Sequence, residues 1–235
     1  MTGNIAVPQA QLPARSLADV KLAELFDGSG CPLCLQGSRS ASGYIRAFLY
    51  ESVVDVGFRR DLDRSRGFCQ PHTRQVLAVN RSEAGGTLGA SILFAAILAT
   101  RERELEALLG TGPRARAKRA GEAARPPACP VCRVEGESVA TAIQSLHRLA
   151  TDEAWERALG QAPFCLDHLV AIAAGRPAGG SWDRIERGQA ARIRDVRQRL
   201  DRFAKHSSHD RRHRLTDDER RAADDAAGLL GGQPG

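Results

Sequence analysis

All six cysteines of this chain fall in two copies of one pattern, and no other feature restricts the possible folds as strongly. Cys31-Pro-Leu-Cys34 precedes Phe68-Cys69-Gln-Pro-His72, and Cys129-Pro-Val-Cys132 precedes Phe164-Cys165-Leu-Asp-His168. The spacings are C-x2-C-x34-C-x2-H and C-x2-C-x32-C-x2-H. Two cysteines two residues apart can turn both sulfurs toward one ion, and a Cys and a His three apart at a helix start share a face. The positive end of that helix favours thiolate over thiol. Two such pairs supply the four ligands of a tetrahedral Cys3His zinc site. Pairing within each copy assigns Cys31, Cys34, Cys69 and His72 to one Zn2+. It assigns Cys129, Cys132, Cys165 and His168 to a second. An iron–sulfur cluster with three Cys and one His is an alternative for the same donors.

Other uses of the motif fit less well. A thioredoxin-like redox pair requires a βαβ pattern, which is absent. Haem attachment requires a histidine directly after the second cysteine, where Leu35 and Arg133 stand. A zinc deaminase requires an upstream H-x-E, which this chain lacks. A closed four-ligand site is structural, tying a CPxC loop to a helix start and contributing to folding.

The repetition extends past the cysteines. Each copy runs CPxC, helix, FCxxH, short helix, an Ala-Gly-Gly turn (84 to 86, 178 to 180) and a long helix. Thr87 and Ser181 stand where an N-cap would start the long helix. The expected organisation is an N-terminal tail (1–24), repeat 1 (25–110), a flexible Gly/Pro/Arg linker (111–128), repeat 2 (129–206) and a basic-then-acidic tail (207–235).

Apolar spacing of three and four makes the long segments helical. Ile45, Phe48, Leu49, Val53 and Val56 form one stripe, and Val139, Ile143 and Leu146 begin its counterpart. The segment Leu88 to Leu109 is apolar almost all round near its middle, which predicts a central buried helix. The last long helix sets Trp182, Ile185, Ile193, Val196, Leu200 and Phe203 against a face of Arg192, Arg194, Arg197, Arg199 and Arg202. No alternating strand pattern occurs. The expected class is all-α, with two tandem repeats.

A net charge of +6 permits an acidic partner without requiring one. The apolar run 90 to 99 is too short to span a bilayer. The first residues read as no secretory signal, so a cytoplasmic protein is expected. In that reducing compartment clustered cysteines favour metal over disulfide. His206, His209 and His213 recur at helical spacing and are a candidate third metal or anion site. Arg192, Arg194, Arg197, Lys205, Arg211, Arg212 and Arg214 are candidate nucleic-acid or anion contacts. His147 reads as a core-edge histidine satisfied by a neighbour. Glu51, Asp55, Asp61 and Asp63 read as salt pairs on a solvated face. No catalytic order of Ser, Cys, His and Asp and no phosphate loop is present, so the chain leans away from enzymes. The functional reading is a zinc-held protein- or nucleic-acid-interaction module. A thiol/zinc redox sensor is the alternative, and a metalloenzyme using the C-terminal histidines a further one.

The paired motifs, the Tyr50-Glu51-Ser52 segment and the tail around Phe203, Lys205 and His206 resemble a bacterial family of uncharacterised proteins. That family carries duplicated CPxC and FCxxH motifs and a C-terminal Phe-x-x-Lys-His-x-x-x-Arg stretch. The resemblance spans roughly residues 25 to 232. It implies that Phe203, Lys205, His206 and Arg211 or Arg212 belong to the family pattern, and it implies no activity.

Overall fold

The computed structural model describes residues 12–26, 30–84, 86–123, 128–177, 179–206 and 215–231. Among them there are eleven α-helices, one π-turn and no strand, so the class is all-α. In order the helices are α1 (Leu17–Ala23), α2 (Pro32–Ala47), α3 (Val56–Arg64), α4 (Gln70–Ala84), α5 (Leu88–Leu109), α6 (Pro113–Ala123), α7 (Pro130–Leu149), α8 (Glu153–Gln161), α9 (Leu166–Gly175), α10 (Gly180–His206) and α11 (Asp217–Leu229). The π-turn, Phe48–Ser52, extends α2.

Both CPxC motifs begin helices rather than forming free loops. Pro32 and Pro130 are first helical residues, where a fixed φ is preorganised and the missing N–H costs nothing. The carbonyls of Cys31 and Cys129 accept the first-turn N–H groups of Leu35 and Arg133, each at 3.0 Å. Cys165 is the N-cap of α9. Cys69 directly precedes α4, and its carbonyl accepts from Thr73 N–H at 2.8 Å.

The chain divides into two compact units, and the division does not follow the sequence repeats. One unit joins residues 1–36 to 139–235, and the other is residues 37–138. The boundaries fall inside α2 and inside α7. Each of these helices therefore starts in one unit and ends in the other.

In the discontinuous unit the core gathers Leu22, Leu25, Phe26, Leu33, Leu146, Trp155, Leu159, Phe164 and Trp182. Phe26 meets Trp155 and Phe164 edge-on, with centroids 5.4 and 6.1 Å apart. The expected N-terminal tail thus contains a short helix whose end is part of a core. Its N-cap Ser16 accepts from Asp19 N–H at 3.2 Å. Asp19, 1% exposed, accepts from Arg15 N–H at 3.0 Å and from the Arg148 guanidinium at 3.1 Å. Burial raises the Asp19 carboxyl, but these donors and the Ser16 hydroxyl outweigh it and hold the group below its ordinary range. His147 behaves as the sequence suggests: Nε2 lies 2.9 Å from the Ile172 carbonyl, and the ring packs edge-on against Trp182.

In the continuous unit Ile45, Phe48, Leu62, Val76, Leu93 and Val131 form the core, with Phe48 stacked on Phe58 and Phe68. Two expectations fail here. The stripe holds through Ile45, Phe48, Leu49 and Val53, which pack in one core, but ends there: Val56 begins a separate helix and is exposed. Helix α5 is not a central buried helix. Only Ala90 and Leu93 are buried in it, while Leu88, Leu98, Leu105 and Leu109 are exposed. Its N-cap Thr87 makes no side-chain cap. The buried Asn80 from α4 supplies the acceptor instead, taking Ala90 N–H at 2.8 Å. The expected linker contains α6, whose described side chains are exposed.

Candidate metal centres

Two clusters bring together all eight motif residues. Cys31, Cys34, Cys165 and His168 form one, and Cys69, His72, Cys129 and Cys132 the other. The within-copy assignment is therefore corrected: each CPxC meets the FCxxH of the opposite copy. The turn before Cys69 is folded rather than extended, with Arg66 at φ 61° and Gly67 at φ 97°. Gly67 N–H closes onto the Leu62 carbonyl at 2.8 Å.

Each cluster lies wholly within one unit: the first in the discontinuous unit, the second in the continuous one. In the first, His168 Nδ1 is 3.4, 3.3 and 3.1 Å from the sulfurs of Cys31, Cys34 and Cys165. Cys34 and Cys165 sulfurs are 3.8 Å apart. In the second, His72 Nδ1 is 3.1, 3.7 and 3.2 Å from Cys69, Cys129 and Cys132, and Cys69 lies 3.5 Å from Cys132. A tetrahedral ion with bonds of about 2.3 Å to sulfur and 2.0–2.1 Å to nitrogen has edges of about 3.8 Å (S to S) and 3.6 Å (S to N). The observed separations, 3.1–3.7 Å from sulfur to nitrogen and 3.5–3.8 Å from sulfur to sulfur, lie at or somewhat inside those edges. No disulfide joins any of the six cysteines.

Two helix N-termini meet at each cluster: α2 and α9 at one, α7 and α4 at the other. Their positive ends favour anionic sulfur. The thiols share protons unequally. Cys31 is pulled down to about 3, chiefly by its hydrogen bond with Cys34, while that same contact pushes Cys34 up. Burial pushes Cys132 up to about 12 and raises Cys165 as well. A divalent ion would replace the shared protons, so loading releases acid.

The surroundings of the two clusters differ. His72 Nε2 lies 3.3 Å from Glu135 Oε2, one turn along α7 from Cys132. Sequence reasoning overlooked Glu135; the signal available was a carboxylate three residues after Cys132, on the same helix face. At the other cluster the half-buried Arg192 reaches the Phe164 carbonyl at 3.5 Å, beside Cys165. Burial lowers the Arg192 pKa, while the fields of Asp225 and Cys31 oppose that effect.

The other candidate contacts are scattered in their surroundings. Arg194, Arg197 and Lys205 are exposed on α10. Arg199 pairs with Asp195 at 2.9 Å and Asp225 at 2.6 Å, and Arg202 pairs with the buried Glu219 at 3.5 Å. Acidic α11 therefore covers part of the arginine face. At its start Thr216 and Glu219 form a reciprocal capping box. His206 is the last residue of α10, while His209, His213, Arg211, Arg212 and Arg214 lie outside the described residues. Asp55 caps α3, accepting from Phe58 N–H at 2.7 Å, and Asp61 pairs with Arg64.

Fold and clusters together define an all-helical protein with two candidate Cys3His metal centres. The chain belongs to a family of unknown function, DUF6062, whose pattern matches residues 15–178. That span includes every Cys and His of the clusters and ends before α10. No curated protein and no solved structure matches the chain. No helix among the described residues is long and apolar enough to cross a membrane.

Proposed function

We propose that this protein binds two Zn2+ ions in closed, structural Cys3His centres and acts as a helical interaction module rather than an enzyme. One observation carries the reading: three sulfurs and one imidazole nitrogen lie within 4.8 Å of one another at each centre, the full donor set of a closed tetrahedral ion with no vertex for water or substrate. Three thiolates and a neutral imidazole suit zinc well. Each ion would join two helix starts from opposite copies, so metal and fold are coupled.

The contact surface favours a protein partner. Arg199 and Arg202 are occupied by carboxylates of the same chain, while α5 exposes four leucines. Elemental analysis of untagged protein tests the metal reading: about two zinc per chain is expected, and strong chelation should abolish the helical circular dichroism. Visible absorbance with bound iron would replace zinc by an iron–sulfur cluster. Tight heparin retention that weakens steeply with salt would instead favour nucleic acid, through Arg194, Arg197 and Lys205.

A second reading, a thiol/zinc redox sensor, is supported by the short cross-motif pairs Cys34–Cys165 and Cys69–Cys132. Peroxide would oxidise two thiolates to one disulfide, taking up two protons and forming two waters as Zn2+ leaves. Peptide mapping after peroxide separates the readings: cross-motif disulfides with zinc release support the sensor, and unchanged metal content excludes it.

A further inference from the structure

Counting from each CPxC, Glu135 of the second copy corresponds to Gly37 of the first. Among the described residues, the carboxylate that meets His72 thus has no counterpart beside His168 at the other centre. We infer that the two centres hold their ions unequally, with Glu135 the positioning residue that makes the Cys69–His72–Cys129–Cys132 centre the retained one. The Cys31–Cys34–Cys165–His168 centre is the exchangeable one. This inference rests on the metal reading above.

Three observations support it. First, His72 is 7% exposed and its Nε2 is 3.3 Å from Glu135 Oε2. A carboxylate there accepts the Nε2 proton, fixes the tautomer with a bare Nδ1, and strengthens that nitrogen as a donor. Nδ1 is the atom that faces all three sulfurs. Second, Glu135 and Cys132 share helix α7, so the outer partner and a ligand are set by one rigid element. Third, the opposite charge stands near the other centre. The Arg192 guanidinium reaches the Phe164 carbonyl next to Cys165. A cation there withdraws charge from thiolates that would otherwise be given to the metal.

The test follows zinc leaving the full-length, zinc-loaded protein when a chromogenic chelator, 4-(2-pyridylazo)resorcinol, is added in excess. Wild type is expected to release two ions in two phases of equal amplitude. Glu135→Ala should speed the slow phase about 10- to 100-fold and leave the fast phase in place. Glu135→Gln, which keeps an oxygen acceptor, should fall between them, and Glu106→Ala on the exposed side of α5 should match wild type. Cadmium substitution gives a second readout independent of rates. Two 113Cd resonances are expected, of which Glu135→Ala moves one. Two ions released in one phase, or a slow phase and resonance indifferent to Glu135→Ala, would overturn the inference while leaving the metal reading intact. Protein that binds no metal would overturn both.

Discussion

Asp19 shows how a single side chain ties a chain terminus to a core. It is buried, caps its own helix start and pairs with Arg148, whose side chain is half in solvent. Its folded-state pKa lies below the ordinary carboxyl value, so the fold favours the ionised form. Its contribution is complete above about pH 4 and is lost as pH falls through the lower folded value. Asp19→Asn should therefore cost about 1.5 kcal/mol at pH 7. The gap between wild type and variant in urea unfolding should narrow below about pH 4, because protonation then weakens wild type alone. Measuring the difference cancels metal loss, which acid imposes on both proteins. A gap unchanged between pH 7 and pH 3 would contradict the pairing. Asp19 carried no periodic or spacing signal; its role depends on a residue more than a hundred positions away.

Among the helices, the tightest constraint is where α10 crosses α8. A Cβ on Gly188 would stand 2.9 Å from the Gly160 carbonyl oxygen, which is backbone and cannot swing aside. A Cβ on Gly160 would meet nothing within 4 Å. The two glycines face one another but should respond oppositely to alanine. Gly188→Ala is expected to lose about 1–3 kcal/mol through overpacking. Gly160→Ala should gain up to about 1 kcal/mol from helix propensity. Thermal midpoints read this directly: a fall of several degrees for the first, none for the second. The helical segments were legible beforehand from apolar spacing, whereas the CPxC motifs, expected as loops, begin helices. The π-turn after Ala47 and the exposure of α5 were not legible. An apolar helix shows its composition in sequence, but which side is covered depends on its neighbours.

For the whole molecule, the decisive arrangement is that each candidate metal centre draws its donors from both copies of the motif. Cys31→Ser with Cys34→Ser should therefore unmask Cys165 and leave Cys69 protected. Alkylation of the folded double variant followed by peptide mass spectrometry would show which cysteine becomes reactive. Enhanced labelling of Cys69 with protection of Cys165 would restore pairing within each copy. Sequence alone determined the candidate donor residues, the all-helical class and the placement of the FCxxH motifs at helix starts. Those follow from local chemistry: thiol and imidazole spacing and apolar periodicity. Tertiary structure decided which CPxC meets which FCxxH, and where Glu135 and Arg192 stand beside the clusters. The reason is geometric. Each site is completed by a partner whose distance along the chain says nothing of its distance in space.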